Sequence, residues 1–421
     1  MAGHLLFKSG VIDDEKIEAF ENKLKNDTDE LQKRSSKYAW LFDQLAAERK
    51  IGATIKTSFH SFESSRFKFN IIDTPGRRDF TEDLITGMSQ ADVGLLVVDS
   101  SEIGDNVSID YNEQTKELCL LAYTLGVKQM IVAINKMDDE TVNYSENRWK
   151  MIRGELVSCL KRVGYKPMKI PFVPISGLQG DNLDSRSIFM SWYGGSTLLG
   201  ALNNVTVPKR PIEKPLRVPI QEVRNTEGTG VILIGRVETG ILKPGMSVKL
   251  TPPGSLGVVE SLQINCNTMP QAIPGDIVCI GVEGRWSGAT SVRPGHVLSN
   301  FEDCPARELS RFEAQVIIKS QAGKFSIGYT PIVDCHASHT PCTFINIKEK
   351  LDRRTGKILE QNPSNVQIGD VCIVEMEPQR PLCVEQFKDF PPLGRFAIRD
   401  SEQIVAVGVV KTTFYGDSNK G

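Results

Sequence analysis

No apolar run in the sequence reaches the ~18 residues that a membrane-spanning helix needs, so no integral membrane protein is expected. Residues Met1 to Lys8 lack a long apolar segment followed by a small-residue cleavage site, which predicts a non-secreted, cytoplasmic chain. The nine cysteines are odd in number and show no paired spacing, so reduced thiols are expected instead of a disulfide frame. Neither sign of charge dominates: 50 basic residues face 52 acidic ones. Bulk charge therefore announces no nucleic-acid partner, which would have to be read by local patches and shape. Aromatics make up only 7%, so stacking on nucleobases is not the expected mode of contact. Internal repeats and low-complexity tracts are also missing. What is there is 40% hydrophobic and 24% charged residues over 421 positions, enough for packed cores in roughly two to four domains.

The first half alternates strand-like and helix-like segments. Asp13 to Arg34, with Ile17, Phe20, Leu24 and Leu31 spaced among charges, suits a surface helix. Strands are expected at Phe67 to Ile72, Val93 to Val98, Gln129 to Ile134 and Lys169 to Ile175. Helices are expected at Glu113 to Leu125 and Glu146 to Val163. That alternation predicts a doubly wound α/β domain with a mostly parallel sheet covered on both faces. Val207 to Pro215, with three prolines among charges, reads as a linker. Beyond it come short β-rich runs punctuated by Gly and Pro, with a second break near Asn300 to Arg307. Even spacing of short strands predicts two β-barrels. The expected domains are residues 1–208, 209–303 and 304–415, with 416–421 as a polar tail.

Three short motifs close successive strands of the first domain. Asp73-Thr74-Pro75-Gly76 ends FKFNIID. A carboxylate at the carboxyl end of such a strand sits where parallel sheets bind ligands. It can hold a magnesium-bound water, and the Gly76 N–H can approach a terminal phosphate. Asn135-Lys136-Met137-Asp138 ends MIVAIN. Asp138 can accept from the N1–H and N2–H₂ groups of guanine, a donor pair that adenine lacks. Lys136 can lay its stem along the base, and Asn135 can tether the loops. Ser176-Gly177 follows IPFVPIS, where its backbone can meet the base oxygen. Each match alone is also what an ordinary polar strand end produces. The three in order, each ending a buried strand, point to a guanine nucleotide. Thr54, in a loop before a strand, offers a hydroxyl that could reach the metal when a third phosphate is present.

With these motifs in place the sequence resembles the translational GTPases and, within them, the eukaryotic elongation factor 1-alpha family. The resemblance extends through KYAWLFDQLAAER, LLAYTLGVKQMIVAINKMD, GRVETGILKPGM, AQVII, DCHASHTPC, KEKLDRRTGK and PPLGRFAIRD, from Gly3 to about Lys411. It implies a G domain followed by two β-barrels, GTP or GDP with magnesium, and delivery of aminoacyl-tRNA to the ribosome with GTP hydrolysis. It also implies a guanine nucleotide exchange factor as partner, a monomer and no membrane. By the family's motifs, Asp73 to Arg77, Asn135 to Asp138 and Ser176 to Leu178 would contact nucleotide. Arg77 would stand at the catalytic position and Thr54 at the magnesium-sensing one. Termination and ribosome-rescue GTPases share the architecture, but GRVETG and PPLGRFAIRD are more similar to the elongation factor.

The sequence departs from that pattern in several places. It contains no G-x-x-x-x-G-K-[ST], and Met1 to Leu5 corresponds to residues that follow that loop in the family. The first strand of the sheet is accordingly expected to be missing, exposing two inner edges, as in a truncated or mis-started chain. Arg77 replaces the family's water-positioning His. A guanidinium has no acceptor atom, so slowed hydrolysis is expected, with a non-hydrolysing binding role as the alternative. Acids occupy Asp79 to Asp83, Leu178 stands where Trp is usual, and Ile264 to Asn267 lacks the family's His. Cys335, His336, His339 and Cys342 lie close together, but their order is no standard zinc spacing. Strand alternation also sends Cys335 and His336 to opposite faces. Lys348 to Lys357 is locally basic, which suits either a solvated face or contacts to tRNA phosphates.

Overall fold

Short apolar runs without polar alternation form parallel sheets because helices can cover both faces. In the computed structural model, Ser58–Glu63 (β1) and Lys68–Asp73 (β2) form an antiparallel ribbon. Val93–Asp99 (β3), Gln129–Asn135 (β4) and Phe172–Pro174 (β5) form a parallel sheet in that order. The structure describes residues 1–12, 15, 18, 38, 47, 48, 53–101, 111–226, 230–265, 267–284, 292–320, 325–364, 366–401 and 403–416. The helix expected at Asp13 to Arg34, most of KYAWLFDQLAAER and nearly all of the tail thus lie outside the described residues. No helix among the described residues is long and apolar enough to cross a membrane.

Alternation along β4 decides how its two faces are covered. Val132 and Ile134 pack with Ile152, Leu156 and Leu160, the four-residue stripe of helix Glu146–Val163. Ile131 and Ala133 pack on the other face with Leu5 and Leu6 of helix Ala2–Lys8 and with Leu198 and Leu202 of helix Leu198–Asn203. Helices Thr81–Ser89 and Tyr111–Leu125 lie elsewhere in this unit, and the helices whose full spans fall among the described residues are α1 (Ala2–Lys8), α2 (Thr81–Ser89), α3 (Tyr111–Leu125), α4 (Glu146–Val163) and α5 (Leu198–Asn203). The Ser145 hydroxyl caps α4 by accepting the Arg148 N–H at 3.3 Å, and Gly164 at φ 124° ends it.

One difference from the sequence expectation has a clear cause. The strand expected over Lys169 to Ile175 shortens to Phe172–Pro174, with Pro167–Lys169 a 3₁₀ turn. Pro167, Pro171 and Pro174 have no N–H to give the ladder. As expected for a sheet without its first strand, β2 and β3 are not paired with each other, and the edge of β3 away from β4 carries no strand among the described residues. The apolar VGLLVV segment is consequently only partly covered: Val98 is buried, while Val97 is 44% exposed.

The chain divides into two compact units, residues 1–123 with 127–207, and residues 124–126 with 208–421. The second unit holds two seven-stranded sheets. The first is built from Val218–Thr226 (β6), Gly230–Arg236 (β7), Ser247–Thr251 (β8), Ser255–Ile264 (β9), Asn267–Thr268 (β10), Ile277–Gly284 (β11) and Val297–Asn300 (β12). Pairing of β8 with β9 closes six of these into a barrel, with β10 attached to β9. The other sheet contains Arg311–Ile318 (β13), Ile332–Cys335 (β14), Ser338–Leu351 (β15), Ile358–Gln361 (β16), Val371–Pro378 (β17), Arg395–Asp400 (β18) and Gln403–Phe414 (β19). Pairing of β14 with β15 closes this barrel, leaving β16 on its rim. Closure removes sheet edges, and alternate residues fill each interior. Phe312, Ala314 and Val316 of β13 point into one, Val278 and Ile280 of β11 into the other.

Buried charges join the barrels. Arg217 donates from Nε to Glu385 Oε1 at 2.7 Å and from Nη1 to the Cys304 carbonyl at 3.0 Å. Its guanidinium also lies 4.5 Å from the centre of the Phe390 ring. His336 donates from Nε2 to Glu238 Oε1 at 3.0 Å, and Arg236 Nη1 bonds both oxygens of the same carboxylate. Burial opposes ionisation of Glu238, but Arg236 and His336 outweigh it and hold the carboxyl below its usual range. The four residues weighed for zinc each have another partner. His339 meets Asp334 at 2.7 Å, Cys335 Sγ faces the Leu393 carbonyl, Cys342 Sγ the Thr340 carbonyl, and His336 is taken by Glu238.

Breaking a buried ion pair from one side leaves the other charge without compensation, at about 3–5 kcal/mol. Arg217→Ala is expected to lower the urea midpoint of the barrel transition by a corresponding amount. Arg217→Met with Glu385→Leu should recover most of the loss, as equilibrium unfolding will show.

Candidate functional site

The carboxyl ends of β4 and β5 bring two of the motifs together. Asn135 closes β4, and its side-chain Oδ1 accepts the Gly177 N–H at 2.8 Å. Lys136 follows in the left-handed region at φ 62°, a conformation that turns the chain sharply out of the strand. Met137 is fully buried, donates its N–H to the Ile175 carbonyl at 3.2 Å and accepts from the Tyr144 N–H at 2.8 Å. The buried thioether thus plugs the loop into the core and leaves Asp138 at the surface, half-buried. Asp138 has no hydrogen bond or ion pair among the described residues. Ser176 is buried: its hydroxyl accepts the Gln179 N–H at 2.9 Å, and its carbonyl accepts the Gly180 N–H at 2.9 Å. Leu178 is exposed beside it.

The third motif lies at the end of β2. Thr54 donates its hydroxyl to Asp73 Oδ2 at 3.2 Å, so these two oxygens share one place. A pair of this kind suits a hard cation that keeps most of its ligands as water and phosphate, as magnesium does. Pro75 is buried, and Gly76 is exposed with open space where a side chain would be. Thr74 packs against Gly87 of α2, where a Cβ would meet its methyl group at 2.3 Å. Arg77 extends outward to Asp79, with Nη2 and Oδ2 3.2 Å apart and both side chains more than half exposed. Met1 lies between the two groups: it neighbours Gly177, and its ammonium feels the Asp73 carboxylate.

Two contributors carry no motif signal. His4 of α1 is buried, stacks on Tyr38 with ring centres 4.0 Å apart, and donates from Nδ1 to the Gly177 carbonyl at 2.9 Å. Asp99, at the tip of β3, meets Lys136 Nζ at 2.5 Å. Both contacts join residues distant in the chain, which spacing alone does not reveal.

Comparison with known proteins places the whole chain in context. The family described as "Elongation factor Tu GTP binding domain" matches residues 1–209, and "GTP-eEF1A C-terminal domain-like" matches residues 311–411. The chain is 47% identical over 409 residues to Elongation factor 1-alpha of Tetrahymena pyriformis, covering 97% of this chain and 93% of that protein. It is 48% identical over 410 residues to Elongation factor 1-alpha of Entamoeba histolytica, covering 97% and 91%. Among solved structures, the GTP-bound Ski7 GTPase-like domain of S. cerevisiae aligns with a TM-score of 0.78 at 19% identity, over 97% of this chain and 93% of that one. SelB of Methanococcus maripaludis, in complex with a GTP analogue, aligns with a TM-score of 0.66 at 19% identity, over 86% and 74%. At that identity these structures establish the shared fold, a G domain followed by two β-barrels.

Burial raises the pKa of Asp73 above its ordinary value of 3.8, and the Thr54 hydroxyl only partly counteracts it. The folded state therefore holds this proton to higher pH than the unfolded chain does. Stability from this group falls as pH rises from the ordinary value through the raised one. Asp73→Asn is expected to raise stability at pH 7 and to have little effect at pH 3. Calorimetric melting at the two pH values measures both.

Proposed function

The chain belongs to the elongation factor 1-alpha family, and on that premise we propose that it carries aminoacyl-tRNA to the ribosome under the control of a guanine nucleotide bound at this site. The observation that carries the base assignment is Asp138, a half-buried carboxylate without a protein partner among the described residues, held outward by the buried Met137. Its two oxygens accept from N1–H and N2–H₂ of guanine. The Lys136 stem covers one face of the base, and the Asn135 side chain fixes the distance between this loop and Gly177. The backbone of Ser176, Gly177 and Leu178 meets the base oxygen.

At the other end, Asp73 and Thr54 hold magnesium, and the Gly76 N–H approaches the terminal phosphate. Magnesium supplies charge neutralisation between the phosphates when it is bound. Residues 1–208 form the nucleotide domain, 209–303 and 304–415 the barrels, and Lys348 to Lys357 meets tRNA phosphates. The protein works in the cytoplasm as a monomer with an exchange factor.

Arg77 supports a second reading in which nucleotide is bound but turned over slowly. Its guanidinium pairs with Asp79, and it has no acceptor with which to orient a water. Arg77→His is expected to speed single-turnover GTP hydrolysis with ribosomes and aminoacyl-tRNA by roughly tenfold or more, the scale of positioning effects at such sites. Equal rates in parent and variant would make Arg77 a working substitute.

For the base, GDP is expected to bind more tightly than ADP. Asp138→Asn should lose about 2–4 kcal/mol of GDP affinity through the broken charge-assisted pair. Equal affinity of the parent for GDP and ADP, measured by calorimetric titration, sinks the assignment.

A further inference from the structure

The tip of β3 grips the base loop through three consecutive residues. Register pairs Asp99 with Asn135 across the parallel ladder. Ser100, fully buried, donates both its N–H and its hydroxyl to the Asn135 carbonyl, at 3.0 and 2.8 Å. The Ser100 carbonyl in turn accepts from Arg148 Nε of α4 at 3.1 Å. Asp99 Oδ2 meets the Lys136 ammonium at 2.5 Å. Its other oxygen, Oδ1, accepts the N–H and the hydroxyl of Ser101, at 2.8 and 2.7 Å.

We propose that Asp99 is a positioning residue for guanine nucleotide binding: it anchors the Lys136 ammonium so that the lysine stem already lies across the base site when the nucleotide arrives. The proposal rests on the reading of Asn135 to Asp138 as the base loop. Three observations carry it. First, the anchor is itself fixed, because Ser101 holds one carboxylate oxygen and thereby sets the direction of the other. Second, the side chains are unequally exposed, 18% for Asp99 and 56% for Lys136, so the charge partner is rigid while the stem faces the open side. Third, the nearby Asp139 carboxylate spends Oδ1 on Thr141, accepting its N–H and hydroxyl at 2.9 and 2.6 Å, and acts on Lys136 through its charge, whereas Asp99 meets the ammonium directly.

A lysine has four rotatable side-chain bonds, and ordering them at the moment of binding weakens affinity. An ion pair that orders them beforehand removes that penalty from the binding step. Burial works against ionisation of Asp99, but Lys136 and Ser101 outweigh it and keep the carboxyl below its usual range, so the pair stays charged at neutral pH.

The test is a double-mutant cycle on the full chain, with GDP affinity read by calorimetric titration. Asp99→Asn is expected to weaken GDP binding by roughly 3- to 10-fold in the parent and to change nothing further in a Lys136→Gln background. Asp99→Glu should restore part of the loss. Where Asp99→Asn does not fold, Asp99→Ser removes the charge and leaves an acceptor for Ser101. A residue acting only on structure would cost the same in both backgrounds, and that result overturns the proposal. So does an Asp99→Asn protein that binds GDP as tightly as the parent while the parent still prefers GDP to ADP. A parent that binds no GDP, or binds GDP and ADP alike, overturns the base-loop reading and this proposal with it.

Discussion

The hydrogen bond from the Gly177 N–H to the Asn135 side chain ties together the two loops that leave the carboxyl ends of β4 and β5. Without it, the ends of β4 and β5 would be joined only through backbone pairing behind them. The same asparagine is held at its carbonyl by Ser100, so three successive parallel strands contribute to one fixed point. Met137 acts from below, since its burial forces Lys136 and Asp138 to opposite ends of a short exposed turn. The strained φ of Lys136 is tolerated because these contacts over-determine the loop. A carboxylate placed this way needs no movement to accept from a planar base edge, which is the basis of the selectivity proposed for Asp138.

The second unit depends on a different device. Each barrel satisfies its own backbone by closure, so the joint between them is made by side chains. Apolar contact alone, as among Val297, Ala306, Cys383, Phe390 and Leu393, would fix the joint loosely. Arg217 with Glu385, and Glu238 with His336, add partners that have to be met in one arrangement. A buried charge tolerates little displacement of its partner, so such pairs specify geometry even where their net stabilisation is small.

Much of this was legible from residue order. Helix α4 spans Glu146–Val163 as its periodicity indicates, because the Ser145 cap and Gly164 mark both ends in the sequence. β3 and β4 were legible as apolar runs, and Asn135 as a tether. β5 was read too long, since three prolines among Pro167 to Pro174 limit a ladder more than the apolar pattern suggests. The contacts of His4 and Asp99 were not legible, because each links segments far apart whose proximity exists only once the sheet is assembled. Arg77 was read as a residue without the acceptor that orienting a water needs, while its pairing with Asp79 became visible in the structure.

The central claim is that Asp138 and the Gly177 loop form one guanine-reading surface. Backbone amide shifts measured during separate titrations with GDP and ADP test it most directly. The expected result is saturable movement of the Lys136, Asp138 and Gly177 amides with GDP and little with ADP. Equal movement with both nucleotides, or movement confined to residues outside these loops, would contradict it.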